Sequence, residues 1–137
     1  MRMSDSDDFG SIECDHVLTG MTAQVLMAKS VTSEFFEVES RKQARLLSNA
    51  KLWADGLRPN SEQFNGNEGR CGGDNDRMLV AVKVHKVRLY GFIRSIRSKR
   101  TLIVVDIDPS KKQERACPRI LKRAKNRVRE MDTLCGG

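Results

Sequence analysis

The chain has 137 residues, of which 39% are hydrophobic and 31% are charged, and its net charge is +7. This size and composition fit one globular domain with a modest core and argue against disorder throughout. No apolar run reaches the roughly 18 residues of a membrane span. Residues 1–8 are acidic where a secretory signal would be basic and then apolar, so we expect a cytoplasmic protein with no membrane partner.

The positive charge is concentrated in the second half of the chain. Residues 1–76 contain eight Lys or Arg and thirteen Asp or Glu, a net charge of −5. Residues 77–137 contain seventeen Lys or Arg and five Asp or Glu, a net charge of +12. Because basic side chains near phosphates release condensed counterions, this asymmetry indicates a nucleic-acid partner. A solvated basic surface, or a face for an acidic protein, is the alternative interpretation.

The first segments predict a tail, a strand and a short helix. Residues 1–20 are acidic and rich in Ser, Asp and Gly, which is typical of a flexible tail. The compact apolar run 22–29 predicts the first strand. Phe35, Phe36 and Val38 predict a short helix that packs on the core.

A second helix is well specified by its pattern. Ser40 and Gln43 have the spacing of a capping box at a helix start. The spacing of four, three and four residues then predicts one apolar stripe, and Gly56 predicts the end of the helix. The stripe consists of Leu46, Ala50, Trp53 and Leu57.

Residues 58–77 hold four of the ten glycines and few apolar side chains, which predicts a long loop. Loops of this length are usually functional or disordered, so the segment is interpreted as a mobile lid or a place where a partner docks. The alternating pattern of 80–85, the run 87–94 and the β-branched run 101–107 predict three strands in an antiparallel meander. Residues 97–100 predict the second turn.

The last part of the chain predicts a basic amphipathic helix that starts at Pro118. Its apolar stripe comprises Ile120, Leu121, Ala124, Val128 and Met131. We therefore predict an α+β fold: an N-terminal strand and helix pair packed on an antiparallel sheet of three to four strands, with a basic C-terminal helix. The single domain would cover residues 21–134, and 135–137 would be frayed.

The four cysteines contain no C-x-x-C pair and predict reduced thiols. Cys14, His16, Cys71 and His85 lack the short spacings of a metal site in both halves, so we expect no metal and no cofactor.

Arg88, Tyr90 and Arg94 alternate onto one face of the predicted meander. Cleavage of RNA beside its 2′-hydroxyl needs a group that takes a proton and cations that stabilise the phosphorane, which arginines and lysines can supply. Tyr90 and Phe92 would stack on a splayed base. His85 is the residue type suited to proton exchange near neutral pH, although a lone strand histidine is more often a surface residue.

Two further groups of basic residues are candidates for contacts with RNA. Lys111 and Lys112 would lie near the end of the sheet and complete the catalytic set. The predicted phosphate contacts are Lys83, Lys86, Arg97, Lys99, Arg100, Arg119, Lys122, Arg123 and Arg127. The alternative role of Arg88 and Arg94 is to form salt bridges with Asp106 or Asp108.

Three segments carry a resemblance to a known family. They are the strands within Lys83–Phe92, the Lys111-Lys112-Gln113 stretch followed by Pro118, Ile120, Ala124 and Arg127, and the helix end at Asp55-Gly56-Leu57. Together with the element order they resemble the RelE/ParE toxin superfamily, in particular its HigB and phage-derived branch.

The resemblance implies the toxin of a type II toxin–antitoxin pair that cuts messenger RNA on the ribosome. RNA, the ribosome and an antitoxin protein would be its partners, and it would be a homo-oligomer or a hetero-oligomer with that antitoxin. Arg88 matches the family's strand arginine at the scissile phosphate, and Lys111 with Lys112 matches the basic pair before the last helix. Many members bring a further Arg, His or Tyr to the site from the last strand or the final helix, whereas this last strand ends in Asp106 and Asp108.

Two other classes are compatible with the sequence. A non-catalytic nucleic-acid binder, or a ParE-like toxin directed at DNA gyrase, needs only the basic helix. The terminal Gly136-Gly137 is found in ubiquitin-like and sulfur-carrier proteins, but the meander and the basic helix fit that class poorly.

Overall fold

The structure, a computed structural model, describes residues 12–109 and 117–136. The strands are β1 (Cys14–Thr19), β2 (Gln24–Ala28), β3 (Phe64–Asn65), β4 (Val80–Val84), β5 (Val87–Ile96) and β6 (Lys99–Asp108). The helices are α1 (Lys29–Phe36), α2 (Ser40–Ala54) and α3 (Pro118–Leu134). The predicted α+β class is confirmed.

All six strands belong to one sheet in the order β1-β2-β6-β5-β4-β3. The predicted meander β4-β5-β6 is antiparallel, and β2 pairs in parallel with β6. The sheet is wider than predicted because β1 and β3 add a strand at each edge. Both come from segments that were expected to be irregular.

The prediction of a tail over residues 1–20 is wrong for β1, and residues 1–11 lie outside the described part. β1 pairs antiparallel with β2, and Cys14 is 1% exposed. An edge strand buries few side chains, so its sequence need not look apolar. Low hydrophobicity was therefore a poor guide here.

The segment 58–77 is a long loop as predicted, but it contains the two-residue strand β3. Phe64 pairs with Val82 in the sheet, and Arg70 forms a bridge with Met78. Two backbone hydrogen bonds, from Glu68 N to Leu79 O and from Leu79 N to Gly69 O, tie the segment to the start of β4. The loop is therefore attached to the sheet at its middle.

The two faces of the sheet carry different helices. On one side, Trp53 of α2 stacks on Phe64, which pairs with Val82 in the sheet. On the other, Arg123 of α3 donates to Asp106, which pairs with Tyr90 in the sheet. Val82 pairs with Leu89, one residue from Tyr90, and neighbouring strand residues point to opposite faces. Hence α2 covers one face and α3 covers the other.

Helix α2 differs from its prediction at both ends. Glu39 is the N-cap and no side chain caps the helix, while Gln43 donates instead to the carbonyl oxygens of Phe36 (3.1 Å) and Val38 (2.6 Å). The capping box is therefore wrong. Gly56, with φ of +79°, ends the helix as predicted, but Leu57 lies beyond it and is 58% exposed.

The phenylalanine pair of α1 is divided between core and solvent. Phe35 is buried, as predicted, but Phe36 is 67% exposed. Adjacent residues of a helix point in directions about 100° apart, so one face cannot bury both.

The meander turns are tighter than predicted. Arg97 and Ser98 form a two-residue turn, both with positive φ, so Lys99 and Arg100 belong to β6 rather than to the turn. His85 and Lys86 also form a two-residue connection, between β4 and β5, in which Lys86 has a φ of +65°.

Helix α3 begins at Pro118 as predicted and buries Ala124, Val128 and Met131. Cys135 and Gly136 are not frayed, since their amides bond to the carbonyl oxygens of Met131 and Thr133 (both 3.0 Å). None of the helices in the described ranges has the length and apolar character of a membrane span.

Candidate nucleic-acid interface

The face that carries Tyr90 and Phe92 is not open for stacking. Both rings are fully buried between the sheet and α3. The prediction that they receive a splayed base is corrected in this structure, because α3 occupies the space that a base would need.

The Tyr90 hydroxyl has an unusual environment. Its Oη atom is buried and makes no hydrogen bond of normal geometry to the described residues. Burial raises the pKa of Tyr90 to about 12, although the nearby Arg88 guanidinium opposes that rise. A buried hydroxyl without a partner costs about 1–3 kcal/mol.

Arg88 and Arg94 are both in ion pairs. Arg88 donates to Glu68 Oε2 at 2.9 Å, and Arg94 donates to Asp132 Oδ1 at 2.7 Å. The side chains of Arg88 and Glu68 are 13% and 7% exposed. The salt-bridge interpretation is therefore correct for both arginines, but these partners are neither Asp106 nor Asp108.

Asp106 is completely buried and receives two arginines of α3. Arg123 reaches both carboxylate oxygens at 2.8 Å, and Arg127 reaches Oδ1 at 2.9 Å. The acidic end of β6, which departs from the family pattern, is thus a docking point for α3. These two arginines were predicted to bind phosphate, and in this structure they share the single negative charge of Asp106.

Asp132 joins the end of α3 to β5 and to the segment before β4. Its carboxylate accepts from Asn75 at 2.7 Å, from Arg77 at 3.0 Å and from Arg94 at 2.7 Å. Burial opposes ionisation, but these hydrogen bonds together lower the pKa of Asp132. The ionised aspartate therefore connects α3 to β5 and to the segment before β4.

The opposite flank of α3 carries cations that are not neutralised. We call Lys122, Lys125 and Arg129 the α3 basic flank. Their spacing of three and four residues places them on one side of the helix. No carboxylate among residues 12–109 and 117–136 forms an ion pair with them.

The α3 basic flank borders the segment that holds Glu68. A Cβ atom on Gly69 would lie 2.8 Å from Lys125 Nζ, so the ammonium group lies against that glycine. Arg129 donates to the Cys71 carbonyl oxygen, which fixes the guanidinium without cancelling its charge. A shallow groove of about 440 Å³ runs along the flank, lined by Pro118, Leu121, Lys122, Lys125, Asn126 and Arg129.

The remaining predicted residues are spread over other surfaces. His85 and Lys86 are exposed in the β4–β5 turn, and Lys83 Nζ donates to the Ser61 carbonyl oxygen. The second meander turn exposes Arg97, Lys99 and Arg100, with Arg100 stacked 4.7 Å above the Trp53 ring. Arg119 is exposed on α3, and Lys111 and Lys112 lie outside the described residues. Those of the predicted catalytic residues that the structure describes, namely His85, Arg88, Tyr90 and Arg94, are thus not gathered into one exposed site.

The four cysteines are unpaired in the structure. Burial raises the pKa of Cys14 to about 12, so this thiol stays protonated. Within the described ranges, no three His, Cys, Asp or Glu side chains are placed to hold a metal ion.

Sequence reasoning missed Glu68, Asp132, Lys125 and Arg129. Glu68 lies in the segment that was interpreted as a loop, and its pairing with Arg88 depends on the sheet. The 3.6-residue period of α3, applied to its basic as well as its apolar residues, would have separated Lys122, Lys125 and Arg129 from Arg123 and Arg127.

These features define a class: an α+β protein whose six-stranded sheet carries helix α2 on one face and the basic helix α3 on the other. Comparison of the chain with family models, curated proteins and solved structures gave no match.

Proposed function

We propose that this protein is an RNA-binding toxin of a toxin–antitoxin pair that inhibits translation in the cytoplasm. The observation that carries the proposal is the α3 basic flank, whose three cations form no ion pair with the described residues and lie beside a groove. Cations at helical spacing without carboxylate partners suit a phosphate backbone. The order of strand, helix pair, meander and basic helix, expected from the RelE/ParE resemblance, supports the same class.

Cleavage of messenger RNA is the finer form of this proposal. It requires Arg88 to leave its ion pair with Glu68, because a neutralised arginine contributes little to a developing phosphorane charge. The buried Tyr90 and the paired Arg94 favour a second candidate, a toxin that binds RNA without cutting it. A gyrase-directed toxin is a third outcome that the experiment distinguishes.

The test is induced expression in a bacterial host, comparing the wild type with Lys122→Ala/Lys125→Ala. Growth arrest with an early loss of amino-acid incorporation is expected for the wild type and not for the double variant. Cleaved transcripts would favour the endonuclease, and intact transcripts the binder. Continued translation with failing DNA supercoiling, or a harmless wild type, would contradict the proposal.

A matched control is Arg123→Ala. It removes the same charge from the neighbouring residue, but that arginine is already paired with Asp106, which it shares with Arg127. It should therefore keep most of the growth arrest, and a loss equal to that of Lys122→Ala would show that net charge alone matters.

A further inference from the structure

Glu68 is the only described carboxylate in an ion pair with Arg88. Its Oε2 atom accepts from Arg88 at 2.9 Å and from Asn65 Nδ2 at 2.9 Å. The next residue, Gly69, contacts Lys125 of the α3 basic flank. A carboxylate thus occupies the anion-binding position of Arg88, beside which Asp108 is the register partner of Arg88 on β6.

The Tyr90 hydroxyl adds an independent observation. Tyr90 and Arg88 lie two residues apart on β5, so both side chains point to the same face of the sheet. The hydroxyl is buried and has no hydrogen-bond acceptor among the described residues. A single carboxylate on Arg88 therefore leaves a donor unused, whereas a phosphate has more acceptor oxygens.

The backbone that carries Glu68 is held by backbone hydrogen bonds, whereas its carboxylate is held by side chains. The amide of Glu68 bonds to Leu79 O at 2.7 Å, and the carbonyl of Gly69 accepts from Leu79 N at 2.8 Å. The carboxylate accepts from two side chains, Arg88 and Asn65. Rotation of the Glu68 side chain would free Arg88 without any rearrangement of the sheet.

We propose that Glu68 occupies the anion site formed by Arg88 and Tyr90 and acts as an internal competitor of an RNA phosphate. In the bound state the phosphate displaces the carboxylate, binds Arg88 and receives the Tyr90 hydroxyl bond. The α3 basic flank supplies the neighbouring phosphate contacts. This inference rests on the proposed RNA binding and adds the regulation of the same site.

The test is fluorescence anisotropy with a labelled single-stranded RNA of about 12 nucleotides, 2′-O-methylated so that it cannot be cut. Glu68→Gln should bind about tenfold more tightly than the wild type, because the competing charge is removed while the shape is kept. Glu62→Gln is the matched control, since Glu62 is an exposed acid of the same segment without an ion pair among the described residues. It should change affinity only slightly.

Two double variants test whether the gain in affinity depends on Arg88 and Tyr90 or on net charge alone. The gain of Glu68→Gln should disappear in Glu68→Gln/Arg88→Ala and shrink in Glu68→Gln/Tyr90→Phe. Asn65→Ala leaves every charge in place but loosens Glu68, so it should also tighten binding, by a smaller factor. It provides a test even if Glu68→Gln does not fold.

The outcomes distinguish this inference from the proposed function. If Glu68→Gln binds no better than Glu62→Gln while Lys122→Ala weakens binding, the protein binds RNA but the competitor role is wrong. The role is also wrong if the gain persists without Arg88. If neither the wild type nor Glu68→Gln binds RNA, both proposals are wrong.

Discussion

At the scale of single residues, Tyr90 carries a functional group that the fold does not use. Its ring fills the core between the sheet and α3, but its buried hydroxyl makes no hydrogen bond of normal geometry to the described residues. Polar groups of this kind are rare in native interiors and usually have a functional explanation.

Replacement of Tyr90 by Phe tests this explanation through stability. The variant removes the unpartnered hydroxyl and keeps the ring, so the free energy of unfolding should stay the same or rise by about 1 kcal/mol. Urea denaturation measures it. Phe92→Ala, a neighbouring buried ring, should lower stability by about 3–5 kcal/mol. A loss above about 1 kcal/mol for Tyr90→Phe would mean that the hydroxyl has a partner after all.

At the scale of elements, α3 is attached to the sheet by the ion pairs of two aspartates, Asp106 and Asp132. Both lie on the face that the sequence suggested for chemistry. Most of the basic side chains near them hold the helix in place, which leaves the α3 basic flank for a ligand.

Asp106→Asn should weaken the attachment of α3 to β6. The amide keeps the shape but offers its two arginines only one acceptor oxygen and no charge, so we expect a loss of about 2 kcal/mol in unfolding free energy. Glu130→Gln on the exposed side of α3 should change stability by less than about 0.5 kcal/mol. Equal effects of the two variants would show that the buried pair contributes nothing to docking.

The ion pairs of Asp132 predict that the stability of the protein depends on pH. The pKa of Asp132 is lower in the folded protein than in the unfolded chain. Its stabilising contribution is therefore present above the unfolded value of about 3.9 and is lost as the pH falls through the folded value. Thermal unfolding between neutral and acidic pH should show a shallower acid loss for Asp132→Asn than for the wild type. Parallel curves would contradict the role of Asp132.

At the scale of the whole molecule, the charge asymmetry predicts salt-dependent RNA binding. Each single-strand phosphate contact contributes about 0.7 to the slope of log affinity against log salt. Lys122→Ala/Lys125→Ala should therefore reduce the slope by about 1.4. Binding measured over a range of KCl concentrations gives this slope, and an unchanged slope would place the RNA elsewhere, with the second meander turn (Arg97, Lys99 and Arg100) as the next surface to test.

Local patterns were sufficient for much of the fold. The alternation in β4, the glycine at the end of α2 and the proline at the start of α3 are short-range features that act on their own backbone. The edge strands β1 and β3 could not be predicted in this way, because hydrogen bonds to distant strands create them.

The sequence by itself determined the α+β class, the antiparallel meander, the basic amphipathic helix and the excess of positive charge after residue 77. Only the tertiary structure decided which of those charges are available. Asp106, Asp132 and Glu68 are far from their arginines along the chain, and an ion pair depends on distance in space and on burial. The basic half is therefore divided between arginines that hold the fold together and the α3 basic flank, which keeps its charge.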